Sequence, residues 1–168
     1  MRGSWSTTVD SNRVWISAQL LLFIWSGAVG IRQLRRRGKR PDGRTLAIAA
    51  ALFAAAVAVA EQARRELGDN LAIAPTPVRD GRLVDTGIYS IVRHPMYLSV
   101  TLAMLAWAIA TRARAAIVAV PVAVAFFSAK ARHEEALLGQ RYENYEAYSQ
   151  TVTGRLMPRR ALRTGDGG

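Results

Sequence analysis

Residues 95–129 read PMYLSVTLAMLAWAIATRARAAIVAVPVAVAFFSA. Two uncharged runs, Pro95 to Thr111 and Ala115 to Ala129, are joined by Arg112-Ala113-Arg114. Three residues are too few for anything but a tight turn, so the two runs predict an antiparallel helical hairpin. Neither run shows the polar stripe that a soluble helix of this length carries on its outer face. The hairpin therefore reads as a pair of membrane helices, and Pro121 inside its second arm predicts a kink.

Two further uncharged blocks precede it, Val14 to Ile31 and Thr45 to Ala60, each bracketed by charged residues. A spanning helix needs ~20 apolar residues, with ~17 as the lower limit. By that measure the blocks from Val14 and from Pro95 qualify outright. Those from Thr45 and Ala115 need Arg side chains at their flanks to snorkel and extend them. Trp15, Trp25 and Trp107 lie in the blocks, and such rings often mark an interface. The fold class expected is all-α, an integral membrane bundle of about four transmembrane helices. A soluble Ala-rich bundle is the plainer alternative, and the missing polar stripes weigh against it.

The 168 residues predict one membrane domain. N-terminal helices occupy 1–66, a core 67–158 and a flexible tail 159–168. The first apolar block follows a polar start without a clear cleavage site and reads as retained. The chain is 51% hydrophobic yet has a formal charge of +11, from 23 basic and 12 acidic residues. That pairing suits a nucleic-acid binder or a membrane protein with basic loops. Because the charges fall between the apolar blocks, membrane lipids are the expected surroundings, and no nucleic acid. Zero cysteines exclude disulfides, thiolate nucleophiles and Cys-based zinc sites. Two histidines weigh against a multi-histidine metal site, and no Gly-rich phosphate loop occurs.

Chemistry-bearing residues flank the hairpin. Pro95 suits the first position of a helix, with His94 at the cap and Arg93 before it. The N–H groups of Met96, Tyr97 and Leu98 would then make an anion-binding corner. Taken alone, the Arg93–His94 pair reads as an interface marker. Glu134 and Glu135 lie about one turn beyond the second arm. Adjacent carboxylates point in different directions on a helix, so at most one is expected to face a given site. Past them the helix is expected to continue as an amphipathic extension, with Gly139 as a candidate bend. Tyr142, Tyr145 and Tyr148 would share a face there, a spacing that by itself suits packing. The hairpin returns the end of its second arm to the start of its first. Cations, carboxylates and aromatic rings therefore meet at one membrane face.

The stretch GRLVDTGIYSIVRHPMYLSV (81–100), followed by EEALL (134–138), YENYEAY (142–148) and MP (157–158), resembles the isoprenylcysteine carboxyl methyltransferase and phospholipid methyltransferase superfamily of integral membrane enzymes. The similarity runs from about Leu67 to Pro158, and the composite is more specific than Arg-His-Pro alone. It implies S-adenosylmethionine as cofactor and methyl transfer to a lipophilic small molecule or lipid. It also implies a catalytic role for Arg93, His94 and Glu134. Cofactor binding would fall to Gly87, Tyr89, His94, Pro95, Tyr97, Glu134, Glu135, Tyr145 and Tyr148. Leu83 and Val84 match a strand-like lead-in, and Arg64 to Asn70 match the close of the preceding helix. There are departures. Ser99 stands where glycine is common, Ile88 where proline is frequent, and Arg141-Tyr142 where Phe-Gly is usual. Counted back from the tyrosines, Glu134 matches the second glutamate and His133 the first.

A cytosolic cofactor would place Arg93 and the C-terminal extension at the cytosol. The basic loop 32–44 would then lie outside, against the usual bias. Two rivals keep the membrane and change the activity. One is an NADPH-dependent reductase of the sterol-reductase type. The other is a basic scaffold recruiting anionic lipids.

Overall fold

A computed structural model describes residues 3–37, 41–68 and 82–158, with side chains from residue 12 onward. Its helices are α1 (Gly3–Arg37), α2 (Gly43–Leu67), α3 (Pro95–Thr111), α4 (Arg114–Arg141) and the short α5 (Tyr145–Thr151). A single 3-10 turn, Gly87–Ser90, lies between α2 and α3. Most of the long loop before that turn, and the tail 159–168, fall outside the described residues. No strand occurs among the described residues, so Leu83 and Val84 form an irregular lead-in rather than a strand-like one.

Local chemistry sets the boundaries. The α2 N-terminus is capped by Asp42, whose carboxylate accepts from the Thr45 amide at 2.9 Å and the Thr45 hydroxyl at 3.1 Å. Gly68 ends α2 with φ 52°, its amide donating to the Arg64 carbonyl. The hairpin turn is as tight as expected. Arg112 takes the left-handed conformation at φ 50° and α4 begins two residues later. The Arg112 guanidinium donates to the Thr45 hydroxyl at 2.8 Å and pairs with Asp42, which pins the hairpin turn to the start of α2. α4 continues through Pro121, although proline has no N–H to give to the preceding turn.

Three helices are long and apolar enough to cross a membrane: Asn12–Arg36, Gly43–Leu67 and Arg114–Arg141. The block from Val14 qualifies as expected, while the other three change places. The blocks from Thr45 and Ala115 sit inside 25- and 28-residue helices, whereas α3 has 17 residues. The reason is packing. Every α3 residue is buried or partly buried, and α1, α2 and α4 all pack against it. Its neighbours instead expose Leu20, Leu21 and Ile24 (α1), Phe53 and Val57 (α2), and Val118 and Val122 (α4). Such a belt suits acyl chains. Small residues line the seams, as lipid-embedded helices require for close approach. Ala49, Ala56 and Ala63 form the buried stripe of α2 at heptad spacing, and Ala116, Ala119 and Ala123 that of α4.

α1 runs antiparallel to α4. Trp15 stacks on His133, Gln19 meets Lys130, and Phe23 lies 6.4 Å from Phe127. Further along, the Trp107 indole donates to the Ser26 carbonyl at 3.1 Å. Gly30 lies against that indole so closely that a Cβ there would overlap the ring. Replacing Gly30 by valine is expected to push Trp107 away and cost about 2–3 kcal/mol, from overpacking and the lost hydrogen bond. Thermal unfolding in detergent, with Trp107→Phe as background, measures it.

Candidate active site

The end of α2, the start of α3 and the end of α4 share one end of the bundle, and α5 closes it. The segment before α3 is held from both sides. On one side Ala63 of α2 packs with Ile88, Tyr89 and Val92. On the other, the chain leaving α5 runs alongside. The Arg93 amide donates to the Gly154 carbonyl at 2.9 Å and the His94 amide to the Arg155 carbonyl at 3.0 Å. The Tyr148 hydroxyl donates to the Tyr89 carbonyl at 2.8 Å.

These backbone bonds place His94 between two carboxylates. Its Nε2 is 3.1 Å from Glu135 Oε1 and its Nδ1 is 3.6 Å from Glu134 Oε2. Both glutamates therefore reach the imidazole, contrary to the expectation that at most one would. Their Cα positions diverge on the helix, but each side chain is long enough to turn back toward a ring lying between them. His133, the other match for the first glutamate, points away and stacks on Trp15 at 5.8 Å.

The two carboxylates differ in what surrounds them. Glu135 is 10% exposed and is held by two guanidinium groups and the His94 imidazole. Besides His94, Arg155 grips both of its oxygens, Nε at 3.0 and 2.9 Å and Nη2 at 2.7 Å. Arg93 Nε lies 3.3 Å from Oε1, an ion pair without hydrogen-bond geometry, while its Nη1 donates to the Ser149 carbonyl at 3.3 Å. The bond to Glu135 raises the Arg155 pKa further above its ordinary value. Glu134 is 27% exposed and accepts from the Tyr97 hydroxyl at 2.8 Å. The Tyr97 ring stacks on His94 at 5.4 Å and 6°, and on Phe127 at 5.1 Å. That sandwich fixes the hydroxyl on Glu134.

The anion-binding corner takes a different form from the one expected. The Tyr97 and Leu98 amides both donate to the His94 carbonyl, at 3.1 and 3.2 Å, because the cap carbonyl accepts the first bonds of the helix. Pro95 sits at the first helical position as expected.

The tyrosine extension is also rearranged. α4 stops at Arg141, Tyr142 is extended (φ −116°, ψ 115°), and α5 starts anew at Tyr145. One continuous amphipathic helix is thus replaced by a break. Tyr142, Tyr145 and Tyr148 still pack in one cluster, with Val152, Leu83 and Leu138. Tyr145 and Tyr148 meet edge to face at 5.8 Å. Burial pushes the Tyr89, Tyr145 and Tyr148 hydroxyls well above the ordinary phenol pKa, and Glu135 adds to this at Tyr145 and Tyr148. All three stay protonated donors at neutral pH. The Tyr145 hydroxyl is buried and has no partner among the described residues.

Of the residues singled out in sequence, Arg93, His94, Tyr97, Glu134 and Glu135 are in direct contact. Tyr89, Tyr145 and Tyr148 wall the same cluster. Gly87 lies apart from it, against Glu66. Arg155, Lys130 and Glu66 were missed. Lys130 is 1% exposed, donates to Gln19 at 2.7 Å and lies over the Tyr97 ring at 5.4 Å. Its signal was available, since it sits one turn before Glu134 on the same face. Arg155 lies twenty residues from Glu135, and no local pattern marks it.

A search of curated proteins finds no match to this chain. The model of one family, phospholipid methyltransferase, matches residues 44–145. That stretch holds α3, α4, nearly all of α2 and the cluster around His94. More than half of the chain, including both carboxylates and the Arg-His-Pro segment that faces them, thus carries the family's pattern, and the protein belongs to the phospholipid methyltransferase family of integral membrane methyltransferases.

Proposed function

We propose that this membrane methyltransferase takes its methyl group from S-adenosylmethionine and delivers it to a lipophilic acceptor at the cytosolic boundary of the membrane. The observation that carries the reading is the unequal pair of glutamates. Glu135 is neutralised by Arg93 and Arg155 and held by the His94 imidazole, while Glu134 keeps a partly open oxygen face beside a stacked aromatic ring. A ligand bearing both ammonium and carboxylate groups needs that polarity, a carboxylate on one side and guanidinium groups on the other. The orphaned Tyr145 hydroxyl adds a buried donor that no described residue uses.

The residues fit such a donor molecule. Glu134 would hold its amine, and Arg93 and Arg155 its carboxylate. When bound, the donor supplies an electrophilic methyl group on a sulfonium. The chain's own part is alignment and exclusion of water. His94 is locked between Glu134 and Glu135 and is assigned to binding. The family points first to a phospholipid amine as acceptor, with a prenylated thioether carboxylate or another small hydrophobic molecule as the remaining candidates.

Labelled methyl transfer from S-adenosylmethionine into a lipid extract, followed by mass analysis of the product, tests the proposal. Saturable NADPH binding without S-adenosylhomocysteine binding would move the assignment to a reductase. Tyr145→Phe probes the donor site more finely. Its thermal midpoint is expected to be unchanged or slightly raised, because the hydroxyl makes no bond to the described residues. S-adenosylhomocysteine affinity, measured by calorimetry, is expected to fall about 5- to 10-fold, the loss of one hydrogen bond.

A further inference from the structure

Glu66 lies in the last turn of α2, where a negative charge opposes the helix dipole. A residue in that position needs a local reason, and the structure supplies one. Its Oε2 accepts the Ile88 amide at 2.7 Å, across twenty-two residues of sequence. Gln62 donates to its other oxygen at 3.2 Å. Gly87, at φ +56°, lets the carboxylate lie over the start of the 3-10 turn, where any Cβ would collide with it. Behind it, Ala63 closes against Ile88, Tyr89 and Val92. The turn continues through Tyr89, which is held by Tyr148, into Arg93 and His94.

We propose that Glu66 is a positioning residue for the active site. Its carboxylate anchors the 3-10 turn to the rigid α2–α3 seam and so fixes the arm that presents Arg93 and His94 to Glu134 and Glu135. On this account Gly87 serves the site by admitting Glu66, not by touching a ligand. The functional half of the inference rests on the donor reading above.

Amide hydrogen exchange and S-adenosylhomocysteine calorimetry on the full chain in detergent test it together. In Glu66→Ala, exchange at Ile88, Arg93 and His94 is expected to speed up about ten-fold or more, with interior α3 amides unchanged. The affinity for S-adenosylhomocysteine is expected to fall about ten-fold, the loss of one charge-assisted bond. Glu66→Gln keeps an oxygen for the Ile88 amide, so it should restore both within about two-fold. Unchanged exchange in Glu66→Ala overturns the anchor. Failure of Glu66→Gln to restore S-adenosylhomocysteine affinity, with exchange restored, would assign the charge itself to the site and overturn a positioning role. If the wild-type chain does not bind S-adenosylhomocysteine while the exchange pattern appears as stated, the anchor stands and the donor reading falls.

Discussion

Glu135→Ala is expected to destabilise the chain by about 3 kcal/mol, measured as a lowered thermal midpoint in detergent, and to abolish donor binding. Removing one partner of a buried ion pair costs ~3–5 kcal/mol because the other charge stays behind unpaired. Here two guanidinium groups and the His94 imidazole lose their shared carboxylate. Arg93 and His94 side chains are 11% and 7% exposed and have nowhere to turn. Arg155 is 35% exposed and can swing into water, which places the cost at the lower end of the range. The asymmetry gives a control. Arg155→Met leaves Glu135 with two partners and is expected to cost about 1 kcal/mol, near the value for a partly exposed pair. In the double variant the two costs are expected to fall short of their sum, since the contact counted in each is the same.

Glu134→Gln is expected to do the opposite, sparing the fold and removing activity. The substituted amide retains an oxygen for the Tyr97 hydroxyl, so the thermal midpoint should stay close to that of the wild-type chain. What disappears is the negative charge facing the open part of the site. A hydrogen bond to a charged group is worth about 1.5–3 kcal/mol, so kcat/KM should drop about 10- to 100-fold. Initial rates of labelled methyl transfer, taken beside S-adenosylhomocysteine affinity, locate the loss. A variant that loses stability instead of activity would mean that Glu134 is a structural carboxylate.

Much of this arrangement was legible in the sequence, because hydrophobic patterning and short connectors are local signals. The uncharged blocks gave four helices, and Arg112-Ala113-Arg114 gave the hairpin that brings α3 and α4 together. That hairpin placed Arg93, His94, Tyr97, Glu134 and Glu135 at one end, where the structure brings them into contact. What stayed hidden was non-local. The break at Tyr142 has neither proline nor glycine at it, and depends on Tyr142 packing back on Tyr145 and Tyr148. Arg155 and Glu66 find their partners twenty and twenty-two residues away. Block length misled for a related reason. An apolar run reports how much side chain is shielded from water, not whether lipid or protein does the shielding, so the buried α3 was ranked with α1 and ahead of the longer α2 and α4.

The shortness of α3 has a bearing on where the reaction takes place. Seventeen residues rise about 25 Å, less than the ~30 Å hydrocarbon layer. Its three neighbours are long enough to bridge that layer, and His94 at the start of α3 meets Glu134 and Glu135 inside α4, which runs on to Arg141. The longer α2 and α4 therefore wall the end of α3 that carries the site, and Ala63 of α2 and Glu134 of α4 reach it from either side.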